Sequence, residues 1–390
     1  MNRALSFAPL LLGLAACSTA SPPPSDQTPS ADTARRALAS IGACVDADAL
    51  EFQARARALR DATVALEADT SSAARAAAQN AWRAAIETWS RLEVLQVGPI
   101  APTSQPGGRD VRSHVYAWPL TSRCFIEQTI VSRGYASPSF VDGLVNTRGL
   151  GAIEYLLFYD GVDNACAATA QINTAGTWAA IGATELAARK HAYARAVAED
   201  VVTWADQLVA TWNTAGFGAN ELGRAGAGST VYPTTVLALN GLSDALFYVE
   251  AETKDVKLAA PLGIARCDQA RCPDAVESRY ADHSLALVAE NVEGVRRAFV
   301  GCGAAPFGLL DHLKAVGAAD AAERMRLELD AVAAKAAAAR SGSLRSMLAG
   351  DAAPALALHA ELTTLTRSLK TDFVTILGLE LPRRVEGDND

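Results

Sequence analysis

Glu154 is the only carboxylate in an otherwise apolar segment that runs from Gly149 to Tyr159. The apolar side chains of this segment would cover every face of a helix, so the carboxylate is predicted to be buried. A buried charge costs on the order of several kcal/mol unless a cation, a base or hydrogen-bond donors stand opposite it. Two interpretations follow: Glu154 belongs to a structural ion pair, or it is a binding or catalytic acid with a shifted pKa.

Other residues are candidates to line a pocket around this acid. Trp118 precedes a proline, which favours an extended conformation that can end a helix and wedge the indole into a bundle. Trp118 is therefore a structural wedge or a ligand contact. Arg148 could line the pocket and pair with a carboxylate or an anionic ligand. Further carboxylates are pocket candidates, although a solvated helix face is the better explanation for each: Glu93, Asp142, Asp244 and Glu252.

The elements that must position these residues are helices. Apolar residues recur at intervals of three and four along most of the chain, as in Trp82, Ile86 and Trp89, which is typical of amphipathic helices. Long helices are predicted on this basis at 34–66, 78–95, 177–212, 234–252, 288–299, 318–340 and 355–377. The predicted fold class is all-α, with two helical bundles packed side by side.

A change in composition predicts where the two bundles meet. Glycine, asparagine and proline interrupt the helical pattern between residues 213 and 233, and such residues are typical of turns and loops. We therefore predict a domain boundary near residue 225, between an N-terminal bundle at 34–225 and a C-terminal bundle at 226–390. The halves show no convincing residue-level repeat, so any duplication would be one of fold.

The overall charge excludes some classes of function. The chain has 35 Lys and Arg against 43 Asp and Glu, and a formal net charge of −8 over 390 residues. Nucleic acid is not an expected partner of so acidic a chain. No segment resembles a phosphate-binding glycine loop, a serine nucleophile elbow or a dinucleotide fingerprint. The corresponding enzymes are not predicted.

The amino-terminal residues have the features of a bacterial lipoprotein signal peptide. An apolar run after Arg3 ends at Cys17 in a sequence that resembles the lipobox, whose cysteine is freed by cleavage and acylated,. Residues 1–16 are predicted to be removed, and residues 17–33, rich in proline and serine, to form a lipidated, flexible tether. A plain secretory signal or a transmembrane helix is the alternative, but the run is short for about 30 Å of hydrocarbon.

The same segment predicts a location. Ser18, rather than aspartate, follows the cysteine, which indicates the periplasmic side of the bacterial outer membrane. The membrane itself is then a partner, through acylated Cys17.

Cysteine number predicts disulfides. Six cysteines remain after Cys17, and an even number in an oxidising compartment is typical of disulfide pairing. They are Cys44, Cys124, Cys166, Cys267, Cys272 and Cys302. Cys267 and Cys272 flank a short polar loop and are the one pair that we predict. A zinc site is the alternative, although the cysteines lack the paired two-residue spacings of such sites.

Residues 149–154 resemble the Gly-x-His-x-x-Glu helix of the imelysin family, which is also classed as an insulin-cleaving metallopeptidase family and includes iron-regulated bacterial envelope proteins. Further similarity lies in segments 81–89, 97–99, 116–120, 277–284 and 376–379. The resemblance covers nearly the whole chain from Ala34, and the order and spacing of the segments give most of its specificity. It implies a ligand site between two helical bundles.

One position departs from the family motif. Gly149 and Glu154 match it, but Gly151 stands where the motif has histidine. His and Glu three residues apart share a helical face and can offer an imidazole and a carboxylate to one metal. With Glu154 as the one predicted metal ligand, oxygens from elsewhere would have to complete the set. Such a set suits iron or another hard cation better than zinc.

His283 is the best substitute for the missing imidazole, because it lies beside Ser284 in a segment similar to the family and could face the first half of the chain across the domain boundary. The predicted ligand-binding residues are therefore Glu154, Gly149, Gly151, Arg148, Trp118, His283 and Ser284. Structural or solvated positions are expected for the other histidines, which are His114, His191, His312 and His359.

Three functions stay open. The first, which the resemblance implies, is a lipid-anchored periplasmic protein that binds a ligand without catalysis and works with iron- or heme-uptake components. The second is a metallopeptidase, although hydrolysis at a metal needs a stable ligand set with an open position for water, which this motif does not supply. The third is an envelope interaction scaffold with no small ligand. The sequence does not identify the ligand.

Overall fold

The computed structural model describes residues 29–385, and this part of the chain consists of helices and connecting turns, with no β-strand. The predicted all-α fold class is confirmed. Residues 1–16, Cys17 and the first part of the tether lie outside the described residues, so the signal peptide and the lipid anchor stay predictions. Within 29–385, no helix combines the length and the apolar character needed to cross a membrane.

The first half of the described chain contains three long helices and several short ones. The α-helices are α1 (Pro29–Ala68), α2 (Ser72–Glu93), α3 (Val111–Val115), α4 (Arg123–Ser132), α5 (Gly149–Phe158), α6 (Gln171–Thr174) and α7 (Ala183–Val209). Short 3-10 helices lie at Gly98–Ile100, Gly134–Ala136, Pro138–Asp142 and Val145–Thr147. Two π-helical turns follow α7, at Ala210–Thr214 and Gly218–Leu222.

The second half continues with helices of similar kind. The α-helices are α8 (Thr235–Leu246), α9 (Ala260–Leu262), α10 (Ser284–Val300), α11 (Leu309–Ala315), α12 (Ala319–Ala339), α13 (Leu344–Ala349), α14 (Ala353–Ser368) and α15 (Val374–Leu377). The segments Val249–Ala259 and Leu369–Phe373 are π-helical. Short 3-10 helices lie at Pro273–Ala275 and Arg383–Val385.

Helix α2 illustrates why the sequence pattern predicts these elements. Ser71 caps its start by accepting a hydrogen bond from the backbone N of Ala74 at 3.2 Å, which satisfies an amide that the helix leaves unpaired. Trp82, Ile86 and Trp89 all lie on the buried face, as their spacing predicts. Each predicted long helix has a counterpart, with ends shifted by a few residues.

Helix α1 begins before its predicted start. Residues 29–33, which the sequence analysis assigned to the tether, are helical. Proline is favoured in the first turn of a helix, and Asp32 lies in that turn, where a negative charge interacts well with the helix dipole,. Ala31 is buried, and the Thr33 hydroxyl lies 2.8 Å from Nδ1 of His312. Packing therefore extends the helix toward the amino end.

The helices pack as two bundles side by side. In the first, α1 packs against α2 and α7, and α5 packs against α2 and α7; in the second, α12 packs against α10 and α14. Helix α10 also crosses onto α2, and α1 reaches α8 and α11. One continuous hydrophobic core runs through both bundles. The domain boundary near residue 225 stays a prediction, because these contacts join the halves extensively.

An interhelical ion-pair network lies between α1, α2, α10 and α12. Arg340 reaches both Glu87 and Glu290 at 2.6 Å. Arg91 pairs with Glu290 at 2.9 Å. The network also includes Asp48 and Arg297, which lie 2.6 Å apart. His283 joins it through Nε2, which lies 2.7 Å from Glu87. Each carboxylate of this network contacts at least one arginine.

Three disulfides confirm the prediction from cysteine number. Cys267 and Cys272 form the predicted local bridge. Cys124 pairs with Cys166, and Cys44 on α1 pairs with Cys302, just beyond α10. The last bridge ties the first bundle covalently to the second.

Candidate ligand-binding site

Helix α5 carries Glu154 into the interior and is buried from Gly149 to Leu157. Gly149 has a φ of +70°, a left-handed conformation that favours glycine. An added Cβ there would stand 2.5 Å from the carbonyl oxygen of Val115 in α3. Gly149 therefore allows the close approach of α5 to α3 and is not among the residues that line the cavity described below.

Glu154 is held by backbone groups rather than by a cation. Its Oε1 accepts hydrogen bonds from the backbone N–H groups of Tyr280 at 2.8 Å and Ala281 at 3.0 Å. The residue is 5% exposed. Burial raises the pKa of Glu154 to about 7, although the two N–H groups lower it; the nearby Glu277 raises it further. The acid therefore titrates near neutral pH.

A cavity of about 250 Å³ opens beside Glu154. Apolar side chains form much of its wall, among them Trp118, Ile126, Tyr155, Val256 and Val276. The hydroxyl groups of Thr121 and Ser278, also on the wall, are buried and make no hydrogen bond of normal geometry with any described residue. The Ser278 hydroxyl is still near enough to Glu154 to lower its pKa. Apolar walls with a few converging polar groups are typical of small-molecule sites.

Gly151 lies on the same wall, one helical turn before Glu154. A Cβ at this position would stand 2.6 Å from Oγ1 of Thr121, closer than any normal contact. Thr121 thus fills the space that a side chain at 151 would need. A hydroxyl therefore lies beside position 151, and the replacement of the motif histidine by Gly151 stays a prediction from the sequence.

An acid–lysine cluster, formed by Glu93, Lys257 and Glu277, adjoins the site. Lys257 Nζ lies 2.7 Å from Oε1 of Glu93 and 3.0 Å from Oε1 of Glu277, and all three side chains are fully buried. Tyr116 donates its hydroxyl to Glu277 Oε1 at 3.0 Å. The second oxygens of both carboxylates are buried and accept no hydrogen bond from the described chain.

The cluster leaves Glu154 without a cation of its own. Burial raises the pKa of Glu277 to about 7, against the pull of Lys257, and Glu93 adds to the rise. Burial would lower the pKa of Lys257, but Glu277 and Glu93 outweigh it and hold that pKa above its usual value. Lys257 therefore stays charged and is shared between two acids.

Among the predicted site residues, Trp118 lines the cavity together with Glu154 and Gly151. The Trp118–Pro119 peptide bond is cis. Arg112 donates to the Trp118 carbonyl at 2.8 Å, and the indole ring centre lies 5.9 Å from Lys257 Nζ. Trp118 thus forms part of the wall between the cavity and the acid–lysine cluster.

Arg148 does not line the cavity, contrary to the sequence analysis. It is 1% exposed and pairs with Asp200 of α7 at 2.9 Å. It also donates to the Gly143 carbonyl at 3.0 Å. The side chain extends from the residue before α5 toward α7, so its charge is used in a structural ion pair.

His283 and Ser284 also lie outside the cavity wall. The imidazole of His283 hydrogen-bonds Glu87 on α2 in the interhelical ion-pair network, so it does not replace the motif histidine beside Glu154. The Ser284 hydroxyl is buried at the start of α10 without a hydrogen bond to a described residue. His312, expected in a structural or solvated position, is 3% exposed and packs against Thr33.

The residues around Glu154 do not fit a resident metal ion. In the range 29–385, no group of three or more histidine, cysteine, aspartate or glutamate side chains is placed to hold one. Glu154 offers a single carboxylate whose Oε1 already accepts two N–H groups, and the neighbouring donors are the neutral hydroxyls of Thr121 and Ser278. Protein metal sites generally need about four ligands or more.

Sequence reasoning missed four residues of the site: Thr121, Lys257, Glu277 and Ser278. The segment 277–284 was recognised as similar to the imelysin family, and its first two residues could have been selected on that signal. Lys257 lies in a charged stretch that is typical of a solvated helix face. No local pattern distinguishes it from a surface lysine.

The comparisons with known proteins agree with this fold. A family model described as "Peptidase_M75: Imelysin" matches residues 47–371. This range spans most of the chain and includes Glu154 and the acid–lysine cluster. The chain belongs to the imelysin family. No curated protein matches it at a significant level.

Solved structures share the fold at low sequence identity. One is a candidate iron-regulated protein A precursor from Parabacteroides distasonis ATCC 8503, with a TM-score of 0.70 and 17% identity over 91% of this chain and 97% of that chain. Another is an imelysin-like protein from Psychrobacter arcticum 273-4, with a TM-score of 0.67 and 16% identity over 92% of this chain and 98% of that chain. At this identity the likeness shows the fold.

Proposed function

We propose that the chain is a lipid-anchored periplasmic protein that binds a small ligand at Glu154, without catalysing a reaction on it, as part of iron uptake. The carrying observation is the arrangement of Glu154, whose Oε1 is fixed by two N–H groups beside a cavity lined by two unbonded hydroxyls. Such a carboxyl group is positioned to hydrogen-bond a ligand.

The link to iron is supported by family membership and by the name of the Parabacteroides distasonis relative, which refers to iron regulation. Because the residues around Glu154 do not fit a bare metal ion, iron would enter as a complex that brings its own ligands. The cavity of about 250 Å³ is smaller than common drug-sized pockets of about 300–1,000 Å³. A ligand confined to this cavity would therefore have to be a small chelate rather than heme.

Elemental analysis of the full-length protein isolated from its own cell envelope tests this function. We expect iron in the wild type in near-stoichiometric amount, and its loss in Glu154→Gln. The matched control Glu290→Gln removes a carboxylate from the interhelical ion-pair network and should keep the iron. Absence of iron from the wild type would contradict the iron link. Chelator-sensitive cleavage of an unfolded peptide, lost in Glu154→Gln, would instead support the metallopeptidase alternative.

The anchor has its own test. Acylation at Cys17 should place the protein in the outer-membrane fraction, facing the periplasm. Cys17→Ser should release it from the membrane or leave it with an uncleaved signal. A Cys17→Ser protein that fractionates with the outer membrane, as the wild type is expected to do, would contradict the lipid anchor.

A further inference from the structure

An outer pocket adjoins the Glu154 cavity. It has a volume of about 330 Å³ and also includes Phe158, Tyr159 and Arg345. It shares part of its wall with the cavity: Arg123, Asp274, Arg279 and Tyr280. A ligand that extends from Glu154 into the outer pocket therefore meets guanidinium groups.

Within residues 29–385, two of these guanidinium groups, those of Arg279 and Arg345, lack a carboxylate at hydrogen-bond distance. Arg123 is neutralised, because Glu127 lies 2.7 Å away and Asp163 lies 2.8 Å away. The nearest carboxylate to Arg279 is Asp274 at 3.9 Å, and the Asp274 side chain is 99% exposed. Arg345 is exposed, and its hydrogen bond goes to the Arg279 carbonyl oxygen at 3.2 Å.

This positive charge is local in a chain with a net charge of −8. The wall of the outer pocket carries three guanidinium groups and one carboxylate, that of Asp274. A cleft with such an excess of positive charge attracts anions and raises their local concentration. The acidic remainder of the chain would repel an anion. Arg279 and Arg345 therefore make the outer pocket a favourable place for an anion to bind.

Adjacent residues connect the outer pocket to the cavity. The backbone N–H of Tyr280 donates to Glu154 inside the cavity. Its hydroxyl accepts a hydrogen bond from Arg279 at 2.9 Å, and its ring packs edge-on against Tyr155 and Tyr159, with centroids 5.4 Å apart in each case. These rings give the space between the arginines and the acid an aromatic wall against which a ligand can pack.

We propose that the outer pocket is an anion subsite and that the ligand is a carboxylate-rich small molecule, taken as the free acid or as its ferric chelate. This inference rests on the proposed function and names its ligand class. Arg279 and Arg345 bind the carboxylates, since guanidinium groups match carboxylates through paired N–H donors. The other end of the ligand hydrogen-bonds Glu154 within the cavity.

Isothermal titration of the full chain with citrate and with ferric citrate tests the subsite. We expect at least one of them to bind the wild type, and the double variant Arg279→Gln/Arg345→Gln to weaken that binding by roughly tenfold or more. The control Arg324→Gln/Arg326→Gln removes one exposed and one half-buried arginine of α12 and should change affinity less than about twofold. Melting curves check that the variants fold, and Arg279→Lys/Arg345→Lys should recover part of the affinity.

The outcomes separate the subsite from the function on which it rests. Failure of both compounds to bind the wild type, or equal binding by the Arg279/Arg345 variant, would overturn the subsite. If iron still copurifies with the wild type and is lost in Glu154→Gln, the proposed function stands without the anion subsite. Arginine-dependent binding of citrate alone supports the subsite with the free acid as ligand and contradicts the iron link. Arginine-dependent binding of ferric citrate supports both.

Discussion

Helix α2 contributes carboxylates to two groups of charges that are neutralised differently. In the interhelical ion-pair network, Glu87 contacts Arg340 and His283, and Glu290 contacts Arg340 and Arg91. In the acid–lysine cluster, Glu93 shares Lys257 with Glu277. Glu154, beside that cluster, accepts hydrogen bonds from two backbone N–H groups and has no ion-pair partner among the described residues.

This difference in the number of cation partners suggests different roles: the acids of the interhelical ion-pair network are structural, whereas Glu154 is the acid for which we propose a binding role. Matched pairs fix the helices relative to one another and leave little capacity to bind anything else. Buried acids with too few cations reduce the stability of the fold, and proteins tolerate such costs mainly at functional sites. A shortage of cations around Glu154 therefore supports the binding role proposed for this region, and variants of the two regions should respond differently.

The largest effect is expected for Lys257→Met. Removal of the shared lysine takes away the cation that contacts both Glu93 and Glu277 and leaves Glu93 with only the charge of the nearby Arg112. This should lower the free energy of unfolding by about 3–5 kcal/mol at pH 8. Urea denaturation measures the change. The loss should be smaller at pH 5, where Glu277, whose pKa burial raises to about 7, is protonated. An unchanged midpoint at pH 8 would show that the cluster does not depend on Lys257.

Glu154→Gln should change how stability depends on pH. Burial raises the pKa of Glu154 from 4.5 to about 7 in the folded protein, so between these values the folded state binds the proton more tightly than the unfolded state. Wild-type stability therefore falls as pH rises through this window, and the penalty is complete above pH 7. Glutamine removes it, and the variant should gain about 3 kcal/mol relative to wild type between pH 4.5 and pH 8.

Denaturant titrations at several pH values measure this gain. Glu290→Gln, in the interhelical ion-pair network, is the matched control, because it removes an acid that has two arginine partners. It should destabilise the protein at pH 8 rather than stabilise it. Parallel pH profiles for wild type and Glu154→Gln would mean that Glu154 titrates as an ordinary solvated acid.

Gly151→Ala examines the wall of the cavity. The new Cβ would lie 2.6 Å from Thr121 Oγ1, and such overpacking should cost about 1–2 kcal/mol. In a Thr121→Ala background the clash disappears, and alanine should be neutral or stabilising by up to about 1 kcal/mol, since glycine is a poor helix residue. A double-mutant cycle by thermal denaturation gives the coupling. If the effects of Gly151→Ala and Thr121→Ala on stability were additive, the close contact between position 151 and Thr121 would be contradicted.

Arg340→Ala should have the smallest effect. Its side chain is 38% exposed, so water and salt screen its pairs with Glu87 and Glu290, and the expected loss is below about 1 kcal/mol. The loss should shrink further at high salt. A loss as large as that of Lys257→Met would remove the distinction between the two regions.

The fold was predictable from sequence because helical periodicity is a local signal. The spacing of Trp82, Ile86 and Trp89 alone predicts the buried face of α2, and no other segment is needed for that prediction. Burial of Glu154 was predictable for the same reason, since its own neighbours are apolar. The hydrogen-bond partners of Glu154 were not predictable, because they are the backbone N–H groups of Tyr280 and Ala281. Almost every residue type has such a group, so the sequence does not indicate which ones will bond Glu154.

Long-range charge pairing explains the errors. Arg148 and His283 were expected at the cavity, but Asp200 and Glu87 take them into structural pairs. Lys257 meets Glu93 across 164 positions of the chain. Which acid receives which cation depends on how helices from both halves pack, and spacing within one segment does not contain that information.

The bridge between Cys44 and Cys302 sets an order of events for a cell that makes this chain. Its partners are 258 residues apart, whereas the other two bridges span 42 and 5 residues. In a chain that enters an oxidising compartment amino end first, Cys44 is exposed together with Cys124 and Cys166 before Cys302 arrives. Because thiol exchange takes seconds to hours, a wrong bridge formed at this stage would need an isomerase to correct it quickly.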